Sequence, residues 1–193
     1  PPEEVPALLA DLAEFCNDEM LPAVAQAAIV HAQFETIHPF VDGNGRTGRA
    51  LAHTVLRRRG LAPRVIPPIS LVLATMASDY IAGLTAYRYD GKPDGPAAVT
   101  GVNAWVGLFA GACQRSVRDA MEFEARIRTL QEDWRARVGK VRRGSMVDLL
   151  IQALPGTPLV TAAGAAELPG RSFQPSNEAL GVLLRTTVVR HVN

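Results

Sequence analysis

The 193-residue chain holds only two cysteines, Cys16 and Cys113. They lie far apart and both fall on apolar helical faces, so buried free thiols are expected and a disulfide framework is not. Charge of neither sign dominates: 20 Lys and Arg face 19 Asp and Glu, for a net charge of +1. That balance excludes the broad basic field of a general nucleic-acid binder. No stretch reads as long and apolar enough to span a bilayer, and no signal peptide opens the chain. A cytoplasmic protein without a membrane partner is therefore expected. Strand patterns, internal repeats and low-complexity tracts are also missing. Pro1-Pro2-Glu3 is an unusual opening and points to a piece of a longer protein.

What remains is helical, and an all-α fold is predicted. In PALLADLAEFC, Leu8, Leu9, Leu12, Phe15 and Cys16 share one face, and Pro6 suits the first helical position. The segment PAVAQAAIVHAQFETI repeats the pattern through Val24, Ala28, His31, Phe34 and Ile37. GRTGRALAHTVLRRRG turns Leu51, Val55 and Leu56 inward and closes on Arg57, Arg58, Arg59 and Gly60. The prolines of APRVIPPIS make a connector, and one helix is predicted over Ile69 to Tyr87. YDGKPDGP reads as a surface turn. From Val102 an apolar stripe runs through Trp105, Phe109, Cys113, Ser116, Ala120, Phe123, Ile127, Leu130 and Trp134, as one long helix or two in line. Both tryptophans are read as core.

Composition changes near Gly139. GKVRRG reads as a basic linker, dividing the chain into residues 1–138 and 139–193. Beyond it, Ser145 is placed as an N-cap with Asp148 three residues on, and Met146, Leu149, Leu150 and Ala153 facing inward. A short helix in TAAGAAELPG and a third in QPSNEALGVLLRTTVV complete a small helix-turn-helix or winged-helix-like module. Little sequence is left for a wing. Arg171, Ser172, Gln174 and Asn177 are the residues that could touch DNA, although no dense basic face accompanies them.

The most informative stretch is HPFVDGNGRTGR, from His38 to Arg49. It lies between two helices. A histidine before Pro39 can simply end a helix, and Asp42-Gly43-Asn44-Gly45 can be an ordinary turn. Taken together the residues say more. Glycines around a turn that opens a helix expose N–H groups to an anion. Asp42 is a hard oxygen donor suited to Mg2+ that also holds phosphate. Arg46 and Arg49, at i and i+3, stand at the positive end of a helix, where cations are misplaced unless an anion lies between them. Their forked guanidinium groups suit a polyphosphate. His38 can take a proton from an attacking hydroxyl. The set reads as a nucleotide-phosphate cradle with a base at its rim.

This stretch resembles the signature of the Fic-domain family, His-Pro-Phe-x-[Asp/Glu]-Gly-Asn-Gly-Arg-x-x-Arg, at every fixed position from His38 to Arg49. PPEEVPALLADL and GLAPRVIPPISL are similar to family sequence too, so the resemblance covers roughly residues 1 to 135. It implies a Fic-type helical bundle and transfer of AMP from ATP to a Ser, Thr or Tyr hydroxyl of a target protein. By position it implies that His38 is the base and that Asp42 holds Mg2+. Gly43, Asn44 and Gly45 would form the anion hole, Arg46 and Arg49 would grip the outer phosphates, and Phe40 would anchor the loop.

Two departures from the family pattern stand out. An inhibitory segment of the form [Ser/Thr]-x-x-x-Glu-[Gly/Asn] is not found, which leaves room for a regulatory segment elsewhere or an antitoxin-like partner. The flap that docks target peptides is not found before PPEEVP either. Related chemistries stay open at this level: UMP or phosphocholine transfer, AMP removal, or a DNA-binding regulator acting through the C-terminal module. Sequence gives neither the target nor the oligomeric state.

Overall fold

In the computed structural model the described residues are 2–157, 159–167 and 173–190, and their regular structure is entirely helical. After a short turn at Pro2–Glu4 come α1 (Val5–Asn17), α2 (Ala23–Ile37), α3 (Asn44–Arg58), α4 (Ile69–Thr75), α5 (Ala77–Tyr87) and α6 (Pro96–Val138). Then follow α7 (Met146–Ala153), α8 (Ala162–Glu167) and α9 (Phe173–Arg185). The all-α expectation is borne out. The chain divides into two compact units, Pro1–Ala120 and Met121–Asn193.

The first unit is built around α2. Gln26, Ala27, Ala28, Val30, His31, Ala32, Phe34 and Glu35 are all buried, so most of this helix's circumference faces protein, while Ala25, Ile29, Gln33 and Thr36 form a partly exposed stripe. Its alanines permit that, because small side chains let neighbouring helices approach closely. Ala52, Val55 and Leu56 of α3, Ile69, Val72 and Leu73 of α4, and Trp105, Phe109 and Ala112 of α6 complete the core with Leu12 of α1. Trp105 is fully buried and its indole N–H donates to the Ala28 carbonyl at 2.7 Å. The bond satisfies the one polar group of a ring whose burial is otherwise favourable. Gln26 ties three elements at once. Its amide donates to the Phe15 and Asp18 carbonyls, both at 2.7 Å, and its oxygen accepts from Arg59 at 2.8 Å.

Several sequence expectations need correction. The helix predicted over Ile69 to Tyr87 is two helices, bent by 100°. Met76, with φ −123°, separates them. No glycine or proline marks the break. It follows from packing, since α4 buries Ile69, Val72 and Leu73 while α5 turns Tyr80 toward His31 and Trp105. The stripe along α6 buries residues only as far as Ser116, and Phe123 and Leu130 are exposed. Leu8 of α1 is exposed as well. One window of α6 is long and apolar enough to cross a membrane by length and composition, against expectation. A core helix passes the same test, and α6 does bury Trp105 and Phe109. Cys16 and Cys113 are free and partly buried. Burial raises both thiols, Cys113 to about 11.

In the second unit, Leu150, Ile151, Leu154, Ala165, Ala179 and Leu183 form a separate core, with Trp134 and Val138 partly buried against it. Ser145 caps α7 by accepting from the Asp148 N–H at 3.3 Å. The inward face is set by Leu150, Ile151 and Leu154; Leu149 and Ala153 are only partly buried. Asp148 is buried as well. It accepts from Arg135 at 3.0 Å, the Gly144 N–H at 2.9 Å and Gln152 at 3.0 Å, and these bonds hold its carboxyl below the usual range. The three expected helices form, and no strand occurs among the described residues. Arg171, Ser172 and the side chain of Gln174 lie outside the described residues, while Asn177 is exposed.

Close helix contact generates a test. A Cβ on Gly101 of α6 would sit 2.0 Å from the Ala86 carbonyl oxygen of α5. Backbone cannot yield as a flexible side chain can, so Gly101→Ala should cost about 1–3 kcal/mol or more through overpacking. Urea denaturation measures it, and unchanged stability would show that α5 and α6 are not in this contact.

Candidate active site

The site begins where α2 ends. His38 occupies the left-handed region at φ 49° and donates its N–H to the Phe34 carbonyl at 2.9 Å. A non-glycine residue there costs on the order of 1 kcal/mol. The conformation turns the chain sharply off the helix axis before Pro39. It leaves the imidazole 60% exposed at the rim of the first unit.

Phe40 does not plug into the core as expected. It is 49% exposed, with its ring 6.0 Å from that of Phe34. The loop is anchored by Asn44 instead. Its side-chain N–H donates to the Phe40 carbonyl at 2.6 Å, and its side-chain oxygen accepts the Phe40 N–H at 2.9 Å. Asn44 is buried, so both bonds are shielded from water. Sequence reading treated Asn44 as half of a turn dipeptide and a lining of the anion hole. Its amide is in fact the clasp of the loop.

Gly43 follows the loop as the N-cap of α3, at φ 89°, a conformation that favours glycine. No side chain caps the helix. The first intrahelical bond is Thr47 N–H to the Gly43 carbonyl at 3.0 Å. The N–H groups of Asn44, Gly45 and Arg46 therefore have no intrahelical acceptor, as at any helix start. That is the anion-binding geometry the glycines foretold.

The charged groups gather around this start. Arg46 pairs with Asp42 at 3.1 Å, and both are largely exposed. Such a pair contributes at most about 1 kcal/mol. Arg49 folds back over the helix start, its Nη1 3.1 Å from where a Cβ on Gly45 would lie. Glycine at 45 thus admits the guanidinium. Asp42 offers one exposed carboxylate, and no cluster of three His, Cys, Asp or Glu suited to a metal occurs among the described residues. A single carboxylate beside free N–H groups fits Mg2+, which keeps waters and takes phosphate oxygens, better than a metal needing a protein cage. A cavity of about 500 Å³ borders Asp11, Glu14, Asp18, Gln33 and Tyr87 and includes no motif residue.

Two side chains behind the motif were missed. Glu35 is buried on the last turn of α2, with one oxygen 4.0 Å from His38 Nδ1. Its place three residues before His38 was the available signal. His31 stacks on Trp105 at 5.8 Å and shares a 3.0 Å hydrogen bond between Nε2 and the Tyr80 hydroxyl. Burial lowers its pKa from 6.5 to about 4, and positive Arg49 and His53 push the same way.

Residues 1–56 match the Fic/DOC family model. Over 90 residues, 45% of this chain, the sequence is 41% identical to protein adenylyltransferase fic-1 of Caenorhabditis briggsae, covering 18% of that protein. Over 62 residues, 32% of this chain, it is 42% identical to a probable protein adenylyltransferase of Aquifex aeolicus, covering 19% of it. The matched segment thus spans about a fifth of these relatives. A solved Fic family protein from Desulfovibrio desulfuricans G20 superposes with TM-score 0.56 at 25% identity, covering 96% of this chain and 49% of that one.

The site yields two tests. His31 binds a proton near pH 6.5 when unfolded and only near 4 when folded. Its stabilising contribution is therefore complete above 6.5 and is lost as pH falls toward 4, by about 3 kcal/mol in all. His31→Gln should flatten that acid limb in urea titrations at pH 7 and 5; an equally steep limb would move the effect elsewhere. Asn44→Ala leaves the Phe40 peptide groups unsatisfied and should cost about 1–3 kcal/mol. It should also loosen the loop, read as faster amide exchange at Phe40 and Val41. Unaltered exchange would reject the clasp.

Proposed function

We propose that this chain is a protein adenylyltransferase of the Fic/DOC family, whose model residues 1–56 match. It transfers AMP from ATP to a Ser, Thr or Tyr hydroxyl of a target protein. The observation that carries this reading is the motif's geometry: an exposed imidazole at the end of α2, facing a clasped loop that opens into an uncapped helix between two arginines. Names of the similar proteins support the same activity.

The chemistry follows from those groups. His38 takes the proton of the attacking hydroxyl. The hydroxyl oxygen bonds to the α-phosphorus as the bond to pyrophosphate breaks, and pyrophosphate leaves with the bonding electrons. Charge then grows on oxygens near the N–H groups of Asn44 and Gly45, and near Arg46 and Arg49; the Gly43 N–H, expected in the same set, donates to Asp42 Oδ1 at 2.6 Å at rest. Fixed donors and cations aimed at developing charge stabilise the transition state. Mg2+, held by Asp42, supplies further neutralisation of phosphate charge when bound. On this reading the region after residue 138 is a winged-helix-like companion, and regulation comes from a segment or partner bearing the inhibitory pattern.

The test uses α-labelled ATP and a cell lysate. His38→Ala should keep ATP affinity by calorimetry, because the imidazole contributes a proton acceptor and no phosphate charge. Transfer should fall by about 10²–10⁴. Transfer at near wild-type rate by the variant would remove His38 as the base. A label accepted from UTP in preference to ATP would change the donor.

A further inference from the structure

Glu35 is placed where a carboxylate is least welcome. It lies on the last turn of α2, the negative end of the helix dipole. Its side chain is only 10% exposed. Its Oε1 is buried without a hydrogen-bond partner. A buried, unpaired charge costs several kcal/mol unless something compensates, and apolar residues of similar size are available for such a position. The nearest positive side chains do not compensate it directly. Arg88 donates to the backbone carbonyl of Glu35 at 2.8 Å and to the Thr36 hydroxyl at 3.3 Å, so it secures the helix end and not the carboxylate. Arg49 leans over Gly45 from α3 and forms no ion pair within 4 Å among the described residues.

The fold nevertheless makes room for this group. Oε1 lies 3.5 Å from the position a Cβ would take on Gly45, and 3.2 Å from the position on Gly48. Two glycines one turn apart on α3 thus form a notch that receives the carboxylate. The other oxygen, Oε2, points toward His38 Nδ1 at 4.0 Å. Both residues project from one turn of α2, which Arg88 holds fixed. Other ionisable groups facing the notch are His31 of the same helix, Arg49 of α3 and Tyr80 of α5.

We propose that Glu35 is a positioning residue for His38, the buried carboxylate of a Glu35–His38 pair that accepts a hydrogen bond from Nδ1–H and leaves the Nε2 lone pair free for the target hydroxyl. The proposal rests on the adenylyl-transfer reading of the site. A small side-chain rotation closes the 4.0 Å gap, and catalytic hydrogen bonds are commonly long before substrates bind. During transfer the hydroxyl proton arrives on Nε2. The Nδ1 proton stays on the ring, and the Glu35 carboxylate faces the resulting imidazolium without itself taking a proton. An exposed imidazole without such a partner samples both tautomers, and only one can serve as acceptor at Nε2.

Glu35→Gln tests this, because the amide keeps the volume but can either accept from Nδ1 or donate to it. With ring-15N-histidine protein, the wild-type His38 signal should report a proton on Nδ1, and the variant should shift toward a mixture. At saturating ATP, label transfer should fall about tenfold or more, while KM for ATP moves less than about threefold. Glu35→Asp should fall between them. Melting temperature should hold or rise, since Oε1 is buried without a hydrogen-bond partner and a neutral amide costs less to bury than a carboxylate. An unchanged tautomer, an unchanged rate, or a higher KM for ATP with the rate retained would overturn the proposal, the last by assigning Glu35 to the nucleotide through Arg49. A variant that fails to fold would make Glu35 structural and overturn it too. Wild-type protein that transfers no AMP would defeat the reading of function, whereas the tautomer measurement needs no activity and judges the pair separately.

Discussion

The enclosure of α2 sets the terms for the rest of the first unit. Polar residues on its buried faces cannot reach water, so each must be bonded internally or put to use. Gln26 near its start has three partners. His31 in its middle has Tyr80 at Nε2 and no partner at Nδ1, and is kept neutral by burial. Glu35 near its end has an oxygen with none. Unmet polar atoms thus gather in the half of the helix nearer the loop, and one of them stands beside His38, the base of the proposed reaction. Structures tolerate unmet polar groups chiefly where function requires them.

The same enclosure explains why α3 is glycine-rich at its start. Gly43 supplies the left-handed turn, Gly45 lets Arg49 fold back, and Gly48 leaves room for Glu35 and His31. The three glycines answer three different constraints: backbone conformation at the first, side-chain clearance at the others. Asn44 among them satisfies the loop it follows, so the N–H groups behind it are held in place by a neutral amide and stay open to an anion.

Much of this was legible in the sequence. Helical periodicity found α1, α2, α3 and α7, and the spacing from His38 to Arg49 located the site. What the sequence concealed has physical causes. The bend at Met76 answers tertiary packing and carries no breaker residue. The stripe beyond Ser116 looks like core because heptad spacing describes a face without saying whether anything covers it. Phe40 is apolar and was read as an anchor, yet two hydrogen bonds from a small polar residue hold the loop more firmly than a half-exposed ring can. Glu35 escaped notice because a lone carboxylate in a helix is ordinarily a solvated face; only three-dimensional burial reveals it as an exception.

The contact between Asp42 and Arg46 has a thermodynamic consequence. On the proposed reading, one partner belongs to the metal and the other to phosphate, yet at rest each neutralises the other. Whichever ligand arrives first must break the pair, and the second then finds its residue already released. Metal and nucleotide are thereby linked through a shared cost: each raises the affinity for the other by the same factor, as reciprocity demands. A pair this exposed sets the size of the effect, since at most about 1 kcal/mol of ion pairing allows roughly fivefold mutual enhancement. On that reading the resting pair withholds Arg46 from a polyphosphate, and the complete salt of nucleotide and metal is the visitor the site prefers.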